Sequence, residues 1–367
     1  MTQKPYRLYG SEVSLFTGKV RAYLRWKNIP FAEHLSDAQT YKEIIVPRVG
    51  FPVIPVMVGP DDETLQDSTD IIDELERRHG EPSIYPSSPR QRLAALLLEV
   101  FGDEWLVIPA MHYRWHYNRD WVIREFGRMN MPDARPEEQL EAGEKRAGPF
   151  ANAALLLGGT PDMHRAIETA YEGFLDELDA HLAVHPYLFG TRPSIGDFGL
   201  IGPLYAHQYR DPWTGDHMRK RAPRVAQWVE RMQQPPQPLD GEFLPHDEIP
   251  ETLLPILQRM MREQLPVLAD SARQLSAWLA EHPGERVPRA IGMHDFTLEG
   301  QTGQRIIRPY SLWMLQRVRD YYRTLEGAER EAVNALLQQV GGEGFQQFED
   351  PPHLLRDGLS VKANGAD

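Results

Sequence analysis

The chain has 367 residues, enough for roughly two or three domains and a large core. Its 25% charged and 41% hydrophobic residues are ordinary for a soluble globular protein, and a net charge of −13 leaves no basic stripe to neutralise nucleic-acid phosphates. With no cysteine it has no disulfide framework, no thiolate nucleophile of its own and no zinc–thiolate site.

The N-terminal MTQKPYRLYGSEVS holds no apolar core of signal-peptide length. No apolar run approaches the about 20 residues of a spanning helix; Ala94 to Ala110 is broken by Glu99, Asp103 and Glu104. A cytoplasmic protein with no membrane partner is expected. Tyr6 to Tyr9 reads as a strand ended by Gly10-Ser11. Ser14 to Lys27 carries Leu15, Val20, Tyr23, Leu24 and Trp26 at helical spacing, and Asn28-Ile29-Pro30 stops it. Phe31 to Leu35 is a second strand. Phe51 to Ser68 then supplies two more, with Ile54-Pro55 inside an apolar run. Proline cannot donate to a ladder, so it marks an edge, a strand start or a bulge. A cis bond there would turn the chain sharply and leave the amide and carbonyl of Ile54 to a ligand. Asp67-Ser68 stands as an N-cap signal before Thr69 to Arg78, a helix closed by His79-Gly80. Helix amides and a hydroxyl at that point suit a carboxylate. The order is β-α-β, an irregular link, then β-β-α, followed by a proline-rich linker from Glu81 to Pro89.

From Gln91 the patterns are helical. Arg92 to Trp121 reads as one long helix or two, with Pro109 as the kink. Arg128 to Ala151 is polar and proline-containing and reads as a mobile excursion. His164 to Val184 is strongly amphipathic. Ser194 and Asp197 stand three apart before an apolar helix, a capping-box arrangement with Asp in place of Glu or Gln. Met218 to Arg221 is a short basic surface cluster, and Pro235 to Pro245 a second linker. A third region starts near Ile249, with helices at Leu253–Asp270 and Ser271–Glu281. A hairpin turning on Gln301-Thr302-Gly303 and a helix from Ser311 to Leu325 follow. Pro351 to Asp367 is expected to fray. His112 and His116 are four apart on one helical face, but no third ligand and no HExxH accompany them, so no metal is expected. Trp105, Trp115 and Trp121 read as core.

Together these pieces resemble the cytosolic glutathione S-transferases. The resemblance spans about Tyr6 to Met232. It rests on LYGSEVSLFTGKVRAYL at the first strand-turn-helix, VIPVM, QDS, and FGTRPSIGDF. It implies an α/β plus all-α architecture: a thioredoxin-like domain over residues 1–88 and an all-helical transferase-type domain over 89–234. A mostly helical addition at 246–350 and a flexible tail at 351–367 lie outside the family's usual length. It also implies glutathione as co-substrate, a small-molecule electrophile, and a homodimer. Ser14, five residues before Lys19-Val20-Arg21, matches the serine of serine-type members, although Leu15 replaces their usual proline. Tyr9 is the second candidate for the thiol partner. Ile54, held by Pro55, matches the backbone clamp for the cysteinyl part. Asp67 and Ser68 match the acidic-Ser pair for the γ-glutamyl group, with Asp shorter than the usual Glu or Gln. Met111, Arg114 and Trp115, in the densest aromatic patch, are the candidates for the electrophile pocket. The alternative is a non-catalytic binding or scaffold protein that keeps the fold.

Overall fold

The computed structural model describes residues 4–235 and 241–364. Residues 236–240, within the second predicted linker, and the last three residues of the tail lie outside the described residues. The chain divides into two compact units. One comprises Met1–Ile84, Ala110–Ala153 and Phe198–Gly241, the other Tyr85–Pro109, Ala154–Asp197 and Glu242–Asp367.

The first unit holds a four-stranded sheet. Strand β1 (Tyr6–Gly10) leads to helix α1 (Leu15–Trp26) and strand β2 (Phe31–Leu35). A helical link over Ala38–Val49, with a π turn at Tyr41–Ile45, then reaches β3 (Val56–Val58) and β4 (Thr64–Gln66). Helix α2 (Ser68–His79) closes the order. The strands lie β2-β1-β3-β4; β1 and β2 are parallel across α1, and β1–β3 and β3–β4 are antiparallel. Helix α1 is buried on nearly every side, so that Thr17, Lys19 and Arg21 lie inside along with its apolar residues. Its two buried cations are partnered: Lys19 donates to Thr69 Oγ1 at 3.0 Å, and Arg21 grips Glu33 of β2 with two bonds. The link that read as irregular is helical because Tyr41, Ile44 and Ile45 pack against Tyr9, Val56 and Val58 on one sheet face.

Helices α3 (Pro89–Glu104) and α4 (Val107–Tyr117) replace the one long helix or two expected from Arg92. The break falls at Trp105-Leu106, ahead of Pro109, which sits in the first turn of α4, where its missing N–H costs no bond. Helices α5 (Arg119–Asn130) and α6 (Pro136–Leu156) occupy the stretch that read as a mobile excursion. Glycines explain the correction. A Cβ on Gly127 would lie 1.9 Å from the Gln139 carbonyl oxygen, and one on Gly143 2.1 Å from that of Ile123. These glycines are contact points between two backbones, not breakers.

Helix α7 (His164–Leu182) buries Ile167, Phe174, Leu175 and Leu178, as its period predicts. Helix α8 (Ile195–Pro203) starts at the expected cap: Asp197 accepts from the Ser194 amide at 2.8 Å and hydroxyl at 2.9 Å, and from the Leu188 amide at 3.2 Å. A π turn over Leu204–Tyr209 precedes α9 (Pro212–Arg221) and α10 (Pro223–Gln233). In the second unit, α11 (Leu254–Glu263) and α12 (Leu265–Glu281) meet at Gln264, with Pro266 in the first turn of α12. Arg259 of α11 bonds Glu177 of α7 and Glu263, so the additional region is tied to α7 by a half-buried ion network. Strands β5 (Met293–Leu298) and β6 (Gln301–Ile306) pair with Leu298 opposite Gln301. The turn is therefore Glu299-Gly300, both at positive φ, and not Gln301-Thr302-Gly303. Helices α13 (Pro309–Thr324) and α14 (Gly327–Gln339) pack on α3. In place of the expected fraying tail, β7 (Leu354–Asp357) and β8 (Ser360–Ala363) form a hairpin, with Leu354 and Val361 buried and Leu354 bonded through backbone N–H and C=O to the Gln316 side chain.

Candidate active site

The sequence motifs of the first unit gather at one edge of the sheet. Tyr9 lies opposite Val56, and Val56 opposite Gln66. Ile54 and Pro55 immediately precede the first paired residue of β3, and Asp67 and Ser68 immediately follow the last paired residue of β4. The Ile54–Pro55 peptide is cis. The ladders of β3 begin only at Val56, and among the described residues Ile54 enters none of the turn or loop backbone hydrogen bonds.

Two helices begin at this edge. Ser14 is the N-cap of α1, extended at φ −89° and ψ 122°, and its Oγ accepts from the Thr17 amide at 3.3 Å. Accepting that bond uses a lone pair and leaves the hydroxyl proton to donate elsewhere. Asp67 is the N-cap of α2 at φ 80°, with Oδ1 accepting from the amides of Thr69 at 2.8 Å and Asp70 at 3.4 Å. Ser68 follows it, buried. Both positive helix ends, and the buried ammonium of Lys19 at the start of α2, make the edge favourable to negative charge. Lys19 was legible only as a register mark, because nothing local says that Thr69 lies above it.

The loop between β1 and α1 is held by two arginines. Arg21 donates to the Ser11 carbonyl at 3.4 Å, and Arg114 to the Val13 carbonyl at 2.8 Å. Arg114, 3% exposed, also grips Asp211 with two bonds of 2.7 Å and donates to the Ala206 carbonyl. Burial pushes the Asp211 carboxyl upward, and the guanidinium opposes it. Burial, then the charge of Arg114, holds His207 well below the usual imidazole value, so this histidine adds no second cation. Arg114, a candidate for the electrophile pocket, is thus bonded to the protein itself. Tyr9 is buried among Ile45, Val56 and Val58 and stacks on His34 at 5.1 Å. Met111 is buried. Trp115 is half-buried, packs on a cluster containing Val13, Val122, Phe126 and Ala147, and meets Phe126 edge-on at 6.0 Å. Val13 therefore brings this apolar wall to the residue next to Ser14. The rings of His112 and His116 stack at 5.4 Å. Among the described residues no group of three or more His, Cys, Asp or Glu side chains could hold a metal ion, and no helix is long and apolar enough to cross a membrane.

Residues 8–83 match the glutathione S-transferase N-terminal domain, and residues 137–231 the glutathione S-transferase C-terminal domain. No curated protein matches the sequence significantly. Among solved structures, the chain is similar to a glutathione S-transferase from Rhodospirillum rubrum F11, at 18% identity and TM-score 0.41, over 67% of this chain and 96% of that one. It is similar to a glutathione S-transferase from Methylobacterium radiotolerans in complex with glutathione sulfonate, at 21% identity and TM-score 0.40, over 64% and 92%. It is also similar to the beta-etherase LigF from Sphingobium sp. strain SYK-6, at 19% identity and TM-score 0.45, over 64% and 96%.

Proposed function

The chain carries both domains of the glutathione S-transferase family and belongs to that family, and from that premise we propose that it binds glutathione at the sheet edge and directs its thiol at a small hydrophobic electrophile. One observation supports the reading: Ser14 caps α1, Asp67 caps the neighbouring α2, whose first turn receives Lys19 of α1, and the cis Ile54–Pro55 bond stands just ahead of the β3–β4 ladder that leads into Asp67-Ser68. Glutathione supplies the thiol, which this cysteine-free chain lacks.

The residues present fit that ligand. The amide and carbonyl of Ile54 can pair with a peptide in extended form, as an added strand would. Ser68 and the amides at the head of α2 suit a carboxylate, and Asp67 an ammonium group. A thiol has an ordinary pKa of about 8.5, and only the thiolate is nucleophilic. The Ser14 hydroxyl proton and the α1 amides favour the anion and lower that value. Val13, Trp115 and Phe126 form the apolar wall beside Ser14, which shields the reacting centre from water.

Calorimetry with reduced glutathione tests the proposal. Binding at or below millimolar ligand is expected; its absence would leave only a scaffold built on this fold. The proposal includes a homodimer in the cytoplasm, and light scattering checks the oligomeric state.

A further inference from the structure

Resting on that reading, we propose that the electrophile is an aromatic compound bearing a carboxylate or similar anionic group, and that Arg146 of α6 receives the anion. Arg146 is half-buried. Its guanidinium lies over the Tyr41 ring at 5.0 Å and donates to the Tyr41 hydroxyl at 3.1 Å. Among the described residues no carboxylate comes within 4.0 Å of it. Burial raises the Tyr41 pKa despite the opposing pull of Arg146, so the phenol stays neutral and does not serve as counter-ion. A guanidinium has five N–H donors in a planar fork. Here one is engaged by a neutral oxygen.

The placement of Arg146 makes this more than a surface charge. Tyr41 packs in the cluster that includes Ile54, the proposed backbone clamp. Ala147, the next residue, packs in the cluster that includes Val13, the neighbour of Ser14. A single turn of α6 thus reaches both sides of the proposed thiol site. Phe150, one turn further on, is 43% exposed and leans on Phe126 at 5.3 Å. An open aromatic face beside an unneutralised arginine suits a flat ring by stacking and its carboxylate by paired N–H bonds. In the transfer a carbon–sulfur bond forms, the leaving group departs with the electron pair of its own bond, and the thiol proton goes to solvent.

Calorimetry on the full chain, wild type and Arg146→Gln, tests this with reduced glutathione, S-benzylglutathione and S-(4-carboxybenzyl)glutathione. In the wild type the carboxybenzyl conjugate should bind about tenfold more tightly than the benzyl conjugate. Arg146→Gln should abolish that preference and leave glutathione and the benzyl conjugate within about twofold. Arg146→Lys should restore part of it, since a point charge survives without the fork. Equal weakening of all three ligands would put Arg146 on the tripeptide's own carboxylate and overturn the proposal. So would a wild type that binds both conjugates alike. Failure of glutathione itself to bind would instead strike the reading beneath it.

Discussion

Arg114 and Asp211, 97 positions apart in the chain, form a two-bond ion pair from which water is excluded, with side-chain exposures of 3% and 0%. The same guanidinium reaches the Val13 carbonyl, so this pair fixes the loop that presents Ser14. Arg114→Met would strand a buried carboxylate and should cost about 3–5 kcal/mol. Urea unfolding measures the loss. Replacing both partners with apolar residues should cost less than the two single changes added together, because neither charge is then left alone. Strict additivity would show that the pair is not the unit proposed. Arg114→Lys keeps the charge but not the fork, and should weaken kcat more than KM if the loop sets the angle of the Ser14 hydroxyl.

Ser14 caps α1, and the proposed function gives it a second role that a different readout separates. As an N-cap it contributes about 1 kcal/mol to folding, which Ser14→Ala should remove. As thiol partner it should also lower the pKa of bound glutathione. The ultraviolet absorbance of the bound thiolate, titrated against pH, should therefore move upward by about one unit in Ser14→Ala. Ser14→Asn and Ser14→Asp keep the cap but not the hydroxyl, so they should keep the stability and not the low thiol pKa. A titration unchanged in Ser14→Ala would remove the hydroxyl from the chemistry.

Asp67 allows a similar separation. Its positive φ is tolerated by asparagine, and Oδ1 accepts from both capping amides. Asp67→Asn should hold stability within about 0.5 kcal/mol, whereas Asp67→Ala loses the cap and strains the backbone for about 1–2 kcal/mol. If the carboxylate holds the ammonium end of glutathione, Asn should still weaken binding about tenfold, since the charge-assisted bond is gone. Equal affinity for both would restrict Asp67 to capping.

What could be read from the sequence was what neighbouring residues decide. The β1-α1 unit, the Asp67-Ser68 cap, the period of α7 and the Ser194–Asp197 bond all lie within short spans, and local chemistry sets them. The cis Ile54–Pro55 bond was legible as an option because proline narrows the choice. The helical link over Ala38–Val49 was not legible, because its packing partners are strands on either side of it in sequence. Helix α6 was misread for a related reason: its polar residues and prolines looked mobile, and only the close approach of Gly143 to the α5 backbone shows what holds it. The partners of Arg114, Lys19 and Arg146 lie between about 50 and 105 positions away, which no periodicity encodes. The hairpin turn was displaced by two residues since Thr302-Gly303 looks like a turn until strand register is known.

His181 makes the second unit sensitive to acid. Its ring is buried; Nε2 faces the Tyr187 carbonyl at 3.2 Å and Nδ1 the Thr252 hydroxyl at 2.9 Å. The neutral ring satisfies both by donating from Nε2 and accepting at Nδ1. A proton on Nδ1 would turn that acceptor into a second donor. Burial, the largest cause, lowers the pKa from 6.5 to about 4, with His185 adding to it and the Tyr187 carbonyl opposing. The unfolded chain binds this proton at a higher pH than the folded one. The contribution is therefore fully present above about pH 6.5 and is lost as pH falls toward about 4. At pH of about 5 the loss should be about 2 kcal/mol. Thermal unfolding of wild type and His181→Gln between these limits checks it. The wild-type Tm should fall toward that of the variant on acidification, because glutamine has no proton to take up. Parallel curves for the two proteins would show that other groups govern acid stability.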